Sequence, residues 1–211
     1  MTYATRFSYL LDKARLLAQA RAGLNPSPLP PLFFFTDPER TPHPEDIVAH
    51  LPEGCGVVYR HFGDPHAPQR ARLLRKIASD NGLVLLIGED DALAAEVEAD
   101  GVHLAQRSLS RAAALRAAVP DTLITIACHD AYTLPSLSED IFDAAFISPV
   151  FASRSSSAQG VSALGLKGVQ ALTARTDLPL YGLGGITCDT ITQLIGSGLA
   201  GVAAVDAFKL D

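Results

Sequence analysis

The sequence predicts a (β/α)8 barrel, and three observations carry that prediction. Eight short, near-continuous apolar runs recur along the 211-residue chain. Seven longer segments with helical periodicity or helix-forming composition separate them. The pattern occupies about 180 residues, a length at which eight such units close most economically into a barrel. Strands covered by helices outside and packed by side chains inside read as continuous apolar runs, because neither face meets water. A doubly wound open sheet is the alternative arrangement of the same pattern.

The elements follow in order. Residues 5–22 place Phe7, Leu10, Leu11, Ala14, Leu17 and Ala18 on one stripe, as a helix requires, and Gly23 stops it. The stretch "NPSPLPP" then reads as a rigid, extended connector. The strands are expected at 32–36 (LFFFT), 56–60 (GVVYR), 83–87 (LVLLI), 101–105 (GVHLA), 123–128 (LITIAC), 144–151 (AAFISPVF), 178–183 (LPLYGL) and 201–205 (GVAAV). The clearest helix between them is 66–80. Leu73, Leu74 and Ile77 line one face there, and Arg70, Arg72, Arg75 and Lys76 crowd the others as a solvated surface. The last strand ends near Ala207 and the sequence stops at Asp211, so no eighth helix follows. An uncovered barrel strand would expose apolar surface. The N-terminal helix is therefore expected to replace the missing eighth helix; capping the barrel bottom is the other option. One domain is expected over 1–211, with 1–31 as helix and connector and 32–208 as barrel.

Composition narrows the function classes. With 48% hydrophobic and 19% charged residues, the chain has ample material for a core. A net charge of −6 argues against nucleic acid or an anionic membrane as partner, since both reward basic patches. Small anionic ligands stay compatible, because a few local donors suffice to hold them. No stretch approaches the ~20 apolar residues of a membrane span. The start, "MTYATRFSYLLDKARLLAQARAG", lacks the charge-then-apolar pattern of a signal peptide, so a cytoplasmic location is expected. Cys55, Cys128 and Cys188 are odd in number and lack metal-type spacing, as inert reduced thiols do.

Chemistry in such barrels sits at the carboxyl ends of the strands. Those ends carry Thr36 and Asp37; Arg60 and His61; Gly88, Glu89 and Asp90; His103 and Gln106; His129 and Asp130; Ser148 with "FASRSSSAQG"; Gly184 and Gly185; and Asp206. The turn "GLGGI" (182–186) lets backbone approach a ligand closely, and its N–H groups suit an anion. A merely tight turn is the plainer reading. The serine run 155–157 reads as a loop that either closes over a ligand or simply connects.

"ADGVHLAQ" (99–106), "ISPVF" (147–151), "GLGGI" (182–186) and "AGVAAV" (200–205), in this order and spacing, resemble the thiamine phosphate synthase/TenI family. "LFFFTD" and "GVVYR" match it more loosely, and the resemblance covers about 32–208. It implies a TIM barrel that handles a small phosphorylated thiazole or pyrimidine metabolite. In the synthase branch, Mg²⁺ assists joining of a pyrimidine pyrophosphate to a thiazole phosphate. Several positions depart from that branch. Its second-strand lysine is Phe62 here, although Arg60 is kept. Its third-strand metal aspartate is Glu89, and its second metal aspartate is Ser108. The sixth loop has no lysine to grip pyrophosphate, and the phosphate-facing serine after the last strand is Asp206.

Mg²⁺ takes hard oxygen ligands, and a departing pyrophosphate needs cationic support. The resemblance therefore points to a member without the Mg-pyrophosphate site, unless Arg154, Asp90 or Asp91 compensates. The TenI branch implies a thiazole tautomerase using a fifth-strand histidine, here His129. A histidine titrates near neutrality and can both take and return a proton; capping of the next segment is its bland role. His103 fits a packed, hydrogen-bonded barrel histidine. The candidate set is His129 for proton transfer, with Arg60, His61, Gln106, Ser108, Ser148, Gly184 and Gly185 around the ligand. No cofactor or metal is expected; Glu89 and Asp90 would hold Mg²⁺ only if the chain were a synthase. Three readings stay open: a TenI-like isomerase or thiazole phosphate binder, a synthase, and a non-catalytic metabolite-binding or regulatory barrel. A homodimer is compatible with each.

Overall fold

A computed structural model of the chain describes residues 2–21, 27–153 and 162–210. Its strands are β1 (Leu32–Phe35), β2 (Gly56–Tyr59), β3 (Val84–Gly88), β4 (Gly101–Leu104), β5 (Leu123–Cys128), β6 (Ala144–Ile147), β7 (Leu180–Leu183) and β8 (Gly201–Ala204). All pair in parallel in chain order, and β8 closes on β1, so the sheet is a barrel and not an open layer.

Alternation along the strands divides the apolar side chains. Phe33, Phe35, Val58, Leu86, Ala144, Phe146, Tyr181 and Ala203 fill the interior. Phe34, Val57, Leu85, Val102, Ile124, Ala145 and Val202 face outward, under the helices. Interior glycines make room for rings: a β-carbon on Gly56 would lie 2.1 Å from the Phe33 ring, and one on Gly201 would lie 2.4 Å from Tyr181. Phe33 in turn meets Phe146 and Tyr181 edge-on, with centroids 5.4 and 5.7 Å away, an arrangement that ring quadrupoles favour. The Tyr181 hydroxyl lies within hydrogen-bond reach of Ser27 Oγ (2.9 Å) and the Leu29 carbonyl (3.1 Å). The segment leading into β1 thus closes the amino-terminal end of the barrel.

Helix α1 (Tyr3–Gln19) is capped by Thr2, whose side chain accepts from the Thr5 amide at 3.3 Å. It buries Phe7, Leu10, Leu11, Ala14 and Leu17; Phe7 and each leucine are worth roughly 1.5–3 kcal/mol relative to exposure. The helix packs on β8 and β1. Phe208, just beyond β8, sits between Phe7 and Phe34 at 5.1 and 5.3 Å. The N-terminal helix therefore takes the place of an eighth helix. The expected stop at Gly23 lies outside the described residues, as do Asn25 and Pro26 of the connector.

The remaining helices are α2 (Pro44–Val48), α3 (Ala67–Asp80), α4 (Asp91–Glu96), α5 (Ala112–Ala118) and α6 (Gly165–Thr173). Among the described residues, two of the seven expected helical connections carry only 3-10 turns, Leu134–Ser136 and Ile191–Leu194. Pro135 removes a backbone donor from the first. Gly196 and Gly198, at φ +80° and +85°, turn the chain out of the helical region after the second. The cationic face of α3 is a solvated, paired surface: Arg72 meets Glu96, Arg75 meets Asp100 at 2.8 Å, and Lys76 meets Asp80 at 2.6 Å.

Candidate functional site

His129 follows β5 directly and is exposed. Its backbone amide donates to Gln106 Oε1 at 2.6 Å, and its ring Nδ1 lies 3.0 Å from Ser148 Oγ, just past β6. Because a backbone N–H can only donate, the Gln106 amide orientation is fixed, and Nε2 is left to donate twice. It donates to Asp130 Oδ2 and to Thr133 Oγ1 (2.9 Å). Asp130 Oδ1 also accepts from the Tyr132 and Thr133 amides (2.9 and 2.8 Å), and Thr133 Oγ1 donates to Oδ2 at 3.0 Å. The Gln106 bond and these further donors hold the Asp130 carboxyl below the usual carboxylate range. Gln106 is thus a clamp between the β4 and β5 ends, its amide spent on protein partners.

Arg60, past β2, is anchored on Thr36. Its amide donates to Thr36 Oγ1 and its Nε to the Thr36 carbonyl, both at 2.8 Å. The guanidinium lies between the rings of Phe35 and Phe62, 5.4 and 5.3 Å from their centroids. Burial lowers its pKa to about 10 despite the neighbouring Asp37, so it remains a cation at neutral pH. Its Nη2 is buried without a hydrogen-bond partner among the described residues; Asp37 Oδ2 is 3.7 Å away. Asp37 itself is held by Arg40 at 2.8 Å, and Arg40 also reaches Asp206 at 3.3 Å. Asp206 is exposed, turned toward Arg40 and Lys209 (2.9 Å). Both His61 nitrogens are engaged: Nδ1 accepts from the Gly63 amide at 3.1 Å, and Nε2 lies 3.4 Å from Asp90 Oδ2.

The third-strand end is occupied by its own network. Glu89 has a left-handed backbone, φ +65°. Its Oε1 accepts from the Ala105 amide at 2.6 Å. Its Oε2 accepts from Ser108 Oγ (2.8 Å) and Arg107 Nη2 (2.9 Å). Asp90 Oδ1 caps α4 through the Leu93 amide at 2.8 Å, and Asp91 pairs with Arg111 at 2.7 Å.

His103 points into the barrel, 6% exposed, with Nδ1 2.9 Å from Thr125 Oγ1 and Phe35 and Phe146 edge-on. Burial, with Arg60 and His129 nearby, pushes its pKa down to about 3, so it stays neutral near pH 7. Gly184 and Gly185 adopt φ +97° and +67°. A β-carbon on Gly184 would lie 3.1 Å from Pro149, and one on Gly185 would lie 2.6 Å from Phe151 Cβ. The close approach of 149–152 is thus a packing reason for both glycines. The serine run and Arg154 lie outside the described residues.

Comparison with known proteins agrees with this architecture. The thiamine monophosphate synthase family profile matches residues 33–208. The chain belongs to the thiamine monophosphate synthase family. It is 31% identical over 169 residues to the thiamine biosynthesis bifunctional protein ThiM/ThiE of Symbiobacterium thermophilum, covering 78% of this chain and 35% of that one. The chain thus spans about a third of that bifunctional relative. It is 26% identical over 152 residues to the thiamine-phosphate synthase of Lactococcus lactis, covering 70% of this chain and 69% of the other. A thiamine phosphate pyrophosphorylase from Pyrococcus furiosus shares the fold, with a TM-score of 0.71 at 18% identity over 83% of this chain and 85% of that one.

Within this family the resemblance makes positions 89 and 108 a pair of metal carboxylates. In this member they are hydrogen-bonded directly to each other. Both Glu89 oxygens and Asp90 Oδ1 accept hydrogen bonds from the protein. Among the described residues, no group of three or more His, Cys, Asp or Glu side chains is arranged to hold a metal. Sequence reasoning missed Thr133 and the pairing of Ser148 with His129. The Asp130–Thr133 spacing, a common local turn signature, was the one available signal.

Proposed function

We propose that the chain is a TenI-like member of its family: a thiazole tautomerase, or a binder of a thiazole phosphate, without the Mg-pyrophosphate site. The observation that carries this reading is the Glu89–Ser108 hydrogen bond, which fills the two expected metal positions with a protein contact. In the isomerase, His129 takes a proton from one carbon of the ligand and returns it to another, with no net change in composition. Its Nε2 has no protein partner among the described residues, while Nδ1 rests on Ser148. Arg60 supplies the fixed positive charge at the barrel mouth, and the Gly184–Gly185 turn supplies backbone donors for a phosphate.

Purified protein is offered a thiazole carboxylate phosphate, and ring isomerisation is followed by NMR. Turnover that survives EDTA and is lost in His129→Ala is the expected result. Mg²⁺-dependent formation of thiamine phosphate from pyrimidine pyrophosphate and thiazole phosphate would overturn the reading in favour of a synthase. That alternative is favoured by the names of the relatives, and it requires Glu89 to bind the metal alongside, or in exchange for, its present donors. A non-catalytic barrel is less well supported. Of the side chains that would plug the mouth, Tyr59 lies in the outer core, Phe62 is 66% exposed, and Asp206 is exposed beside Arg40.

A further inference from the structure

We infer that Ser148 is a positioning residue for His129: it accepts from Nδ1–H and so presents the unprotonated Nε2 to the ligand. The inference rests on the proposed role of His129. Among the described residues, Ser148 Oγ, at 3.0 Å, is the hydrogen-bond partner of the ring. The Gln106 clamp holds the backbone amide of His129, not the imidazole. It therefore fixes where the ring starts and leaves its orientation to Ser148.

The adjacent carboxylate does not compete for the ring. Asp130 accepts from the Tyr132 amide, the Thr133 amide and hydroxyl, and Gln106 Nε2. Two bonds reach each oxygen, which exhausts its lone-pair sites. The partner of Nδ1 is thus a neutral hydroxyl. A hydroxyl can accept from Nδ1–H while its own proton points to solvent or ligand, and Ser148 is only half-buried. With Nδ1 protonated, the lone pair of neutral imidazole is on Nε2, the form that accepts a proton from a carbon acid. In the resulting imidazolium, Nδ1–H keeps its bond to Ser148 while Nε2–H returns the proton. One arrangement serves both half-steps, with no ring flip.

Ser148→Ala and Ser148→Thr test this in the full chain, with folding checked by circular dichroism. The readout is the imidazole ¹⁵N spectrum of His129, assigned by its loss in His129→Ala. The expected wild-type spectrum shows neutral His129 protonated mainly at Nδ1. Ser148→Ala should move the proton mainly to Nε2, and Ser148→Thr should restore it to Nδ1. If isomerisation is observed, Ser148→Ala should lower kcat on the order of tenfold with KM little changed. An identical tautomer in wild type and Ser148→Ala, or Nε2 protonation in the wild type, overturns the inference. A tautomer shift in a protein with no isomerase activity would sustain Ser148 as the positioning group and refute only the proposed reaction.

Discussion

Replacing Glu89 separates a structural carboxylate from a metal ligand. Its side chain accepts from the Ala105 amide at 2.6 Å, Ser108 Oγ at 2.8 Å and Arg107 Nη2 at 2.9 Å. The Arg107 pair adds little, because that side chain is 77% exposed and water screens such pairs to roughly 0–1 kcal/mol. The Ala105 and Ser108 bonds go to a charged acceptor in a partly buried site, where each is worth about 1–2 kcal/mol. Glu89→Ala should therefore cost about 2–4 kcal/mol, or roughly 4–16 °C in Tm for a chain of this size. Glu89→Gly loses the same bonds but escapes the penalty of a left-handed L-residue at φ +65°. It should retain up to about 1 kcal/mol more than the alanine variant. Urea unfolding of the three proteins, with and without millimolar Mg²⁺, measures both differences. The reasoning fails if Glu89→Ala unfolds at the wild-type midpoint, or if Mg²⁺ raises the wild-type midpoint and Glu89→Ala abolishes that rise.

Three further outcomes follow from the packing and the charges. Phe208→Ala opens a gap between Phe7 and Phe34 in a site with no solvent exposure; a loss of about 3–5 kcal/mol is expected in urea, and a loss under 1 kcal/mol would mean that α1 does not rely on this contact. The Asp130 carboxyl is depressed in the fold, against about 3.9 in an unfolded chain. Its contribution is complete above that value and is lost as pH falls through the folded value, so Asp130→Asn should flatten the acid limb of stability below about pH 4; unchanged limbs would show that the cluster around Gln106 does not couple to folding. Burial pushes the Cys55 thiol up to about 12 and Cys128 up to about 11. Neither should react with a thiol reagent at neutral pH until urea unfolds the chain, and rapid native labelling of either would contradict that packing.

The barrel was legible in the sequence because its physics is local and repeated. Runs such as "LVLLI" and "LITIAC" are apolar throughout, since both faces of a barrel strand are dry, and the packing of the N-terminal helix over β8 followed from the need to cover that strand. Two short connections were overread as helices, because composition does not weigh a proline at 135 or a glycine pair at 196 and 198 against tertiary packing. The strand-end residues were also legible as a set, since a (β/α)8 fold brings all eight ends to one face. Their partnerships were not. Gln106 and His129 are joined across β4 and β5, Ser148 and His129 across β5 and β6, and Glu89 and Ser108 across β3 and β4. The direction of each side chain depends on backbone states, such as φ +65° at Glu89, that a one-letter code does not carry. Residue type therefore determined which groups stand at the mouth of this barrel. Only the closed sheet decided which donors meet which acceptors, because hydrogen bonds between residues 19 to 23 positions apart form only after the strands carrying them are aligned.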